Sequence, residues 1–217
     1  MANFDYENQY WWGGKEVVVG LDEAGRGPIA GPLVVGICVF PPFYDNYEIN
    51  DSKKLTDKKR RKLLEVIKRD AIYYSYEVIS IEEIDQYNIY AATQLGMERA
   101  LKRMPLKAEA ILTDAMPLPH VDKKIPLEAI VKGDSKSVSI AAASIIAKVT
   151  RDDIMIKLDK KYPQYNFKQN KGYCTLKHMN YLKEFGICDV HRKTYYPVST
   201  YIKHDEQITI DEVLENK

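Results

Sequence analysis

KEVVVGLDEAGRGPIAGPLVVGICVF, residues 15–40, is the stretch whose reading decides the fold. Lys15 to Leu21 is a short β-branched run that predicts a strand, ended by Asp22-Glu23-Ala24-Gly25. Pro32 to Phe40 predicts a second, apolar strand closed by Pro41-Pro42. The connection GRGPIAGP holds three glycines and two prolines, enough to force an unusual backbone path between the two strands.

Working outward, Ile72 to Ile79, Ala108 to Thr113 and Pro126 to Val131 add three more strands. Helical patterns alternate with them. Thr56 to Arg69 sets Leu63, Leu64 and Ile67 in one stripe among lysines and arginines, and Ser80-x-x-Glu83 is a capping box opening helical material to about Arg103. Ser137 to Lys160 is the longest stretch; its AAASIIA centre carries residues small enough for a helix to lie close to a sheet. Thr175 to Phe185 predicts a further helix. Strands interleaved with helices give an α/β class, a mixed five-stranded sheet flanked by helices. The expected organisation is one domain, with residues 1–160 as the core and residues 161–217 as a small C-terminal helical extension packed on it.

The 217 residues are 45% hydrophobic and 29% charged, which excludes wholesale disorder. The leading residues lack a basic segment followed by an apolar one, so no secretory signal is expected, and no apolar run is long enough for a bilayer. Three cysteines without a CxxC pair fit reduced thiols, and the expected location is cytoplasmic. A net charge of +1 excludes a dedicated nucleic-acid packaging protein, though not an enzyme with a local basic surface. A monomer is expected, since neither a coiled coil nor an exposed apolar repeat is visible.

The acids suggest chemistry. Metal-assisted phosphodiester hydrolysis uses two divalent cations about 4 Å apart, and hard cations take carboxylate oxygens. Asp22 and Glu23 close the first strand, Asp114 closes another, and Asp134 follows a third at a helix entrance. Neighbours in a regular strand point to opposite faces, so Asp22 and Glu23 are expected at a strand end that Gly25 and Gly27 free to turn both inward. The plain alternative is that these are turn acids and an N-cap.

The strings themselves decide between the two. Gly20-Leu-Asp-Glu-Ala-Gly-Arg-Gly-Pro28, Asp51-Ser-Lys-Lys-Leu55 and Lys132-Gly-Asp134 resemble, in order, the motifs of type 2 ribonucleases H. So do Ser139-Ile-Ala-Ala-Ala-Ser-Ile-Ile-Ala-Lys-Val-Thr-Arg-Asp152, Lys171-Gly-Tyr173 and His191-Arg-Lys-Thr-Tyr-Tyr-Pro-Val198, so that the resemblance spans about residues 16 to 198. It implies a ribonuclease H-like fold and a metal site of Asp22, Glu23, Asp114 and Asp134 holding Mg²⁺ or Mn²⁺. The implied activity is two-metal endonucleolytic cleavage of the RNA strand of RNA–DNA hybrids and of duplex DNA 5′ of single ribonucleotides, leaving 3′-hydroxyl and 5′-phosphate ends. In that family Gly25, Arg26 and Gly27 would read the 2′-hydroxyl, the group that tells RNA from DNA, and Tyr173 would stack on the next sugar. Lys53 and Lys54, in the loop before a helix, are the expected backbone contacts, while Lys58 to Lys62 read as a solvated helix face. A replication clamp is a candidate partner. The Gly-Arg-Gly form separates the chain from the type 3 branch, which has Gly-Thr-Gly.

Departures are small: Ala115 stands where Gly often follows the acid, Cys174 where Pro is common, and Tyr195 where Phe is usual. Cys174, His178, Cys188 and His191 are residue types that zinc accepts, but both histidines fall at ordinary family positions and structural zinc is not expected. The roles of Trp11, Trp12 and the tail are not fixed by the sequence.

Overall fold

A computed structural model of the chain describes residues 2–46, 48–49 and 55–202. Lys53 and Lys54, and the tail beyond residue 202, lie outside the described residues. A mixed five-stranded sheet in the order β3-β2-β1-β4-β5 forms the centre. The strands are β1 (Val18–Ala24), β2 (Leu33–Val39), β3 (Tyr73–Ile79), β4 (Ala110–Asp114) and β5 (Leu127–Ile130). β1 pairs antiparallel with β2 and parallel with β4, so the first hairpin is joined to the parallel half of the sheet through β1 itself. The expected mixed α/β sheet is therefore present, and each of its five strands overlaps the segment predicted for it.

Helix α4 (Val138–Lys161) lies across one face and α3 (Ile81–Arg103) across the other. Two hydrophobic clusters result. One joins α4 with Val18, Cys38 and Leu112 and is closed by α1 (Asp5–Trp12) and α2 (Asp57–Asp70); the other joins α3 with Val19, Leu21, Val35 and Ile37. A third cluster packs the far part of α4 against Ile29, Ala30, Phe167 and α6 (Leu176–Phe185). Among the described residues, no helix is long and apolar enough to cross a membrane.

What holds α4 down is the absence of side chains beneath it. Gly20 and Gly36 face the helix, and a Cβ on Gly36 would overlap the Ala143 carbonyl oxygen. The small residues of the AAASIIA segment meet this gap from the helix side, as their size predicts. Ser137 caps the helix by accepting from the Ile140 amide at 3.2 Å.

Two local features differ from the sequence reading. Asn88, at φ 63°, breaks α3; its Oδ1 accepts from the Tyr90 and Ala91 amides and starts the helix again, as an N-cap does. The leading segment is a helix, α1. Trp11 is buried among Phe4 and Phe43 whereas Trp12 is exposed.

Gly36→Ala should cost about 2 kcal/mol or more of unfolding free energy, because overpacking here moves a helix backbone rather than a flexible side chain. Urea denaturation followed by circular dichroism measures it; a stability equal to the parent would mean that α4 does not press on Gly36.

Candidate metal centre

β1 and β4 are parallel neighbours, so their carboxyl ends lie at the same edge of the sheet. Their last registered pair is Leu21 with Thr113, which puts Asp22 beside Asp114 one step further on. Alternation along each strand sends both side chains to the α4 face, as it does Gly20 and Leu112. Asp134 comes from a 3-10 turn, Gly133–Ser135, between β5 and α4. The Gly133 amide donates to Asp114 Oδ1 at 2.8 Å, tying that turn to the end of β4. One carboxylate oxygen each of Asp22, Asp114 and Asp134 falls within 4.8 Å of the others. The N-cap of α4 is Ser137, so Asp134 is not a capping residue.

Glu23 differs from the expectation drawn for it. β1 does not end at Leu21; it runs through Ala24, with Asp22 opposite Gly36 and Glu23 opposite Val35. In a regular strand the two acids diverge, and Glu23 stands outside the three-oxygen cluster. It still lines the same cavity and lies 3.5 Å from the Arg26 guanidinium.

The electrostatics are those of a site built for a cation. Burial, then the Glu23 and Asp114 charges, push Asp22 well above the usual carboxylate range; the Ser144 hydroxyl and the Glu23 amide pull weakly the other way. Asp22 Oδ1 accepts from the Glu23 amide at 2.7 Å, while Oδ2 is buried and accepts no hydrogen bond. Three converging oxygen donors, and an orphaned buried oxygen on Asp22, fit a hard divalent ion such as Mg²⁺ or Mn²⁺.

Gly25, Arg26, Gly27 and Tyr173 line the other wall of this cavity. At Gly25 φ is 104°, and a Cβ would overlap the Arg151 guanidinium, so only glycine fits. The Tyr173 ring is half exposed, and a Cβ on Gly27 would meet it at 3.8 Å. The Ile29 amide donates to the Gly172 carbonyl at 2.9 Å, which joins the two walls.

Sequence reasoning missed several residues around the site. Ser144, Lys148 and Arg151 stand at i, i+4 and i+7 on α4 and all reach the cavity; polar residues recurring on the sheet-facing stripe of a helix were the available signal. Glu7 on α1 accepts from Ser137 Oγ at 2.6 Å and the Ser139 amide at 2.8 Å, and Asn3 bonds backbone to backbone with Lys136 and Val138. The leading helix thus braces the turn that carries Asp134, and nothing local in the sequence marks this. Ala115, at φ 52°, sits in the left-handed region, a conformation that favours glycine. His178 and His191 share a hydrogen bond between their Nε2 atoms at 3.1 Å, and burial pushes His191 down to about 4. Cys174 points instead to Met179.

The sequence model of the ribonuclease HII family matches residues 19–198. Ribonuclease HII of Chlamydia abortus is 46% identical over 194 residues, which cover 89% of this chain and 90% of that protein. The crystal structure of ribonuclease H2 from Pyrococcus horikoshii aligns with a TM-score of 0.70 at 28% identity, covering 87% of this chain and 98% of that one. RNase HII of Archaeoglobus fulgidus, solved as a complex with PCNA, aligns with a TM-score of 0.68 at 28% identity, covering 85% and 96%.

The raised Asp22 pKa has a sign that can be measured. The folded pKa lies above the unfolded one, so Asp22 contributes stability below the unfolded carboxylate range that is lost as pH rises through the raised value. In EDTA at alkaline pH, Asp22→Asn should therefore melt higher than the parent by scanning fluorimetry, and Mn²⁺ should no longer raise its melting temperature. A variant that melts lower and still gains the full Mn²⁺ shift would contradict this electrostatic account.

Proposed function

The chain belongs to the ribonuclease HII family, and from that premise we propose that it hydrolyses the RNA strand of RNA–DNA hybrids and cuts duplex DNA 5′ of single ribonucleotides, leaving 3′-hydroxyl and 5′-phosphate ends. Membership makes it a metal-dependent endoribonuclease. One observation carries the finer reading: Asp22 and Asp114, whose oxygens converge with that of Asp134, line a cavity that is also lined by the Gly25-Arg26-Gly27 segment and Tyr173. Carboxylates for a cation and a loop that admits close approach to a sugar stand within one site.

Asp22, Glu23, Asp114 and Asp134 are the proposed ligands, with Glu23 reaching in from the neighbouring face of β1. Divalent cations bound there, Mg²⁺ or Mn²⁺, would supply activation of water and stabilisation of the departing 3′ oxygen. The residues of the chain do the rest. Gly25, Arg26 and Gly27 bring backbone against the 2′-hydroxyl, and Tyr173 offers a ring face to the adjoining sugar. Lys53 and Lys54 are proposed as phosphate contacts on the strength of the motif that holds them. A sliding clamp is carried as a candidate partner, supported by the archaeal relative solved with PCNA.

The test is cleavage of a DNA duplex carrying one ribonucleotide, beside an all-DNA control. The parent should cut only the former, on the 5′ side, and EDTA should abolish the cut. Asp22→Asn should lose about a thousandfold or more in rate, the scale of metal-borne charge stabilisation. Cleavage of the all-DNA duplex, or near-parental activity in Asp22→Asn, would refute the assignment.

A further inference from the structure

Two arginines in the interior of this protein have no carboxylate partner among the described residues. Arg151 and Arg192 are 1% and 0% exposed, and burial lowers the pKa of both. Their guanidinium groups are satisfied by main-chain carbonyls. Arg151 donates to Pro32, Ala30 and Lys171 at 3.0, 3.2 and 3.0 Å. Arg192 donates to Gly25 at 2.6 Å, to Arg26 at 3.0 Å and twice to Gly31, at 3.0 and 2.8 Å. Burying a guanidinium without a counter-charge is costly, and fixing three carbonyls at once needs its planar fork of donors.

The consequence for Arg192 follows from peptide geometry. In a trans peptide the carbonyl of one residue and the amide of the next point in opposite directions. Holding the Gly25 carbonyl therefore fixes the Arg26 N–H, and holding the Arg26 carbonyl fixes the Gly27 N–H, both directed away from Arg192. Gly25, Arg26 and Gly27 line the cavity and Arg192 does not, so the side opposite Arg192 is the cavity side. Neither amide donates to a backbone carbonyl among the described residues. Tyr195 adds a second donor to the Arg26 carbonyl, at 2.9 Å, and itself accepts from Arg192 at 3.2 Å.

We propose that Arg192 is a specificity-determining positioning residue: by gripping the Gly25 and Arg26 carbonyls from behind, it aims the Arg26 and Gly27 amides at the sugar 2′-hydroxyl. The proposal rests on the reading of the site as a ribose sensor. Arg192 touches no substrate; it presets donors that would otherwise rotate with a glycine-rich loop. Lysine keeps the charge but cannot reproduce the fork, so it should not rescue the function.

The experiment uses the full chain in EDTA and reads binding rather than turnover. Fluorescence anisotropy gives the affinity for a duplex with one ribonucleotide relative to the same duplex in all-DNA form. The parent should prefer the ribonucleotide. Arg192→Lys should lose about tenfold of that preference, the worth of an oriented hydrogen bond, while its affinity for the all-DNA duplex stays unchanged. Tyr195→Phe, which removes one hydroxyl and leaves the fold its usual ring, should lose about threefold and decides the matter should Arg192→Lys fail to fold. Parallel weakening on both duplexes, or an unchanged preference in the folded variants, overturns the proposal. A parent without any preference would instead overturn the ribose-sensing reading beneath it.

Discussion

Helix α4 lies on bare backbone. With Gly20 and Gly36 beneath it, the helix approaches β1 and β2 closely enough for Ser139 and Ala143 to sit where side chains would otherwise stand. That proximity places the start of the helix, and so Asp134 just ahead of it, within reach of Asp22 and Asp114. It also carries the stripe of Ser144, Lys148 and Arg151 along the cavity. A helix held one side-chain layer higher would separate these acids by several ångströms. Close packing of small residues is thus what turns the edge of a sheet into a site.

The architecture was largely legible, because β-branched and continuous apolar runs bounded by Gly, Pro and Asp mark the strands, and capping and amphipathic patterns mark the longer helices. The acids were legible for a topological reason: parallel strands end at one edge, where Asp114 closes β4 and Asp22 lies two residues before the end of β1. What the sequence could not give is which face each acid takes. β1 runs three residues beyond the point where the acids and glycines suggest an end, so Glu23 is paired within the strand, opposite Val35, and lines the cavity from outside the three-oxygen cluster. Register is set by the partner strand, and the partner is not a local property.

The same limit explains the arginines and Glu7. Arg192 grips carbonyls more than 160 residues away in sequence, and Glu7 meets Ser137 and Ser139 across the fold. A carbonyl has no residue identity, so no pairing of charges or side chains along the chain announces such contacts. Asn88 marks the opposite case. Its capping of the second half of α3 is a local hydrogen-bond preference that the sequence carried openly within a continuous helical pattern.

The division of charge within the site gives these parts one logic. Asp22 on β1 and the guanidinium groups of Arg151 and Arg192 are all buried around one loop, yet among the described residues neither arginine pairs with Asp22; the exposed Arg26 of that loop faces Glu23 at 3.5 Å. Asp22 is raised by burial and then by the Glu23 and Asp114 charges, against the smaller pull of the Ser144 hydroxyl and the Glu23 amide. Arg192 is satisfied by carbonyls, a neutral partner, behind the Gly25-Arg26-Gly27 segment, and Arg151, which lines the cavity, by the Pro32, Ala30 and Lys171 carbonyls. Had Arg151 or Arg192 paired with Asp22, the protein would have gained stability and lost the unfilled negative site a divalent cation requires. Keeping the buried arginines on backbone oxygen stiffens the loop without drawing on Asp22. One wall of the cavity is thus ordered by arginines held on carbonyls rather than on Asp22, so that ordering the proposed ribose-reading loop would not compete with the proposed binding of metal.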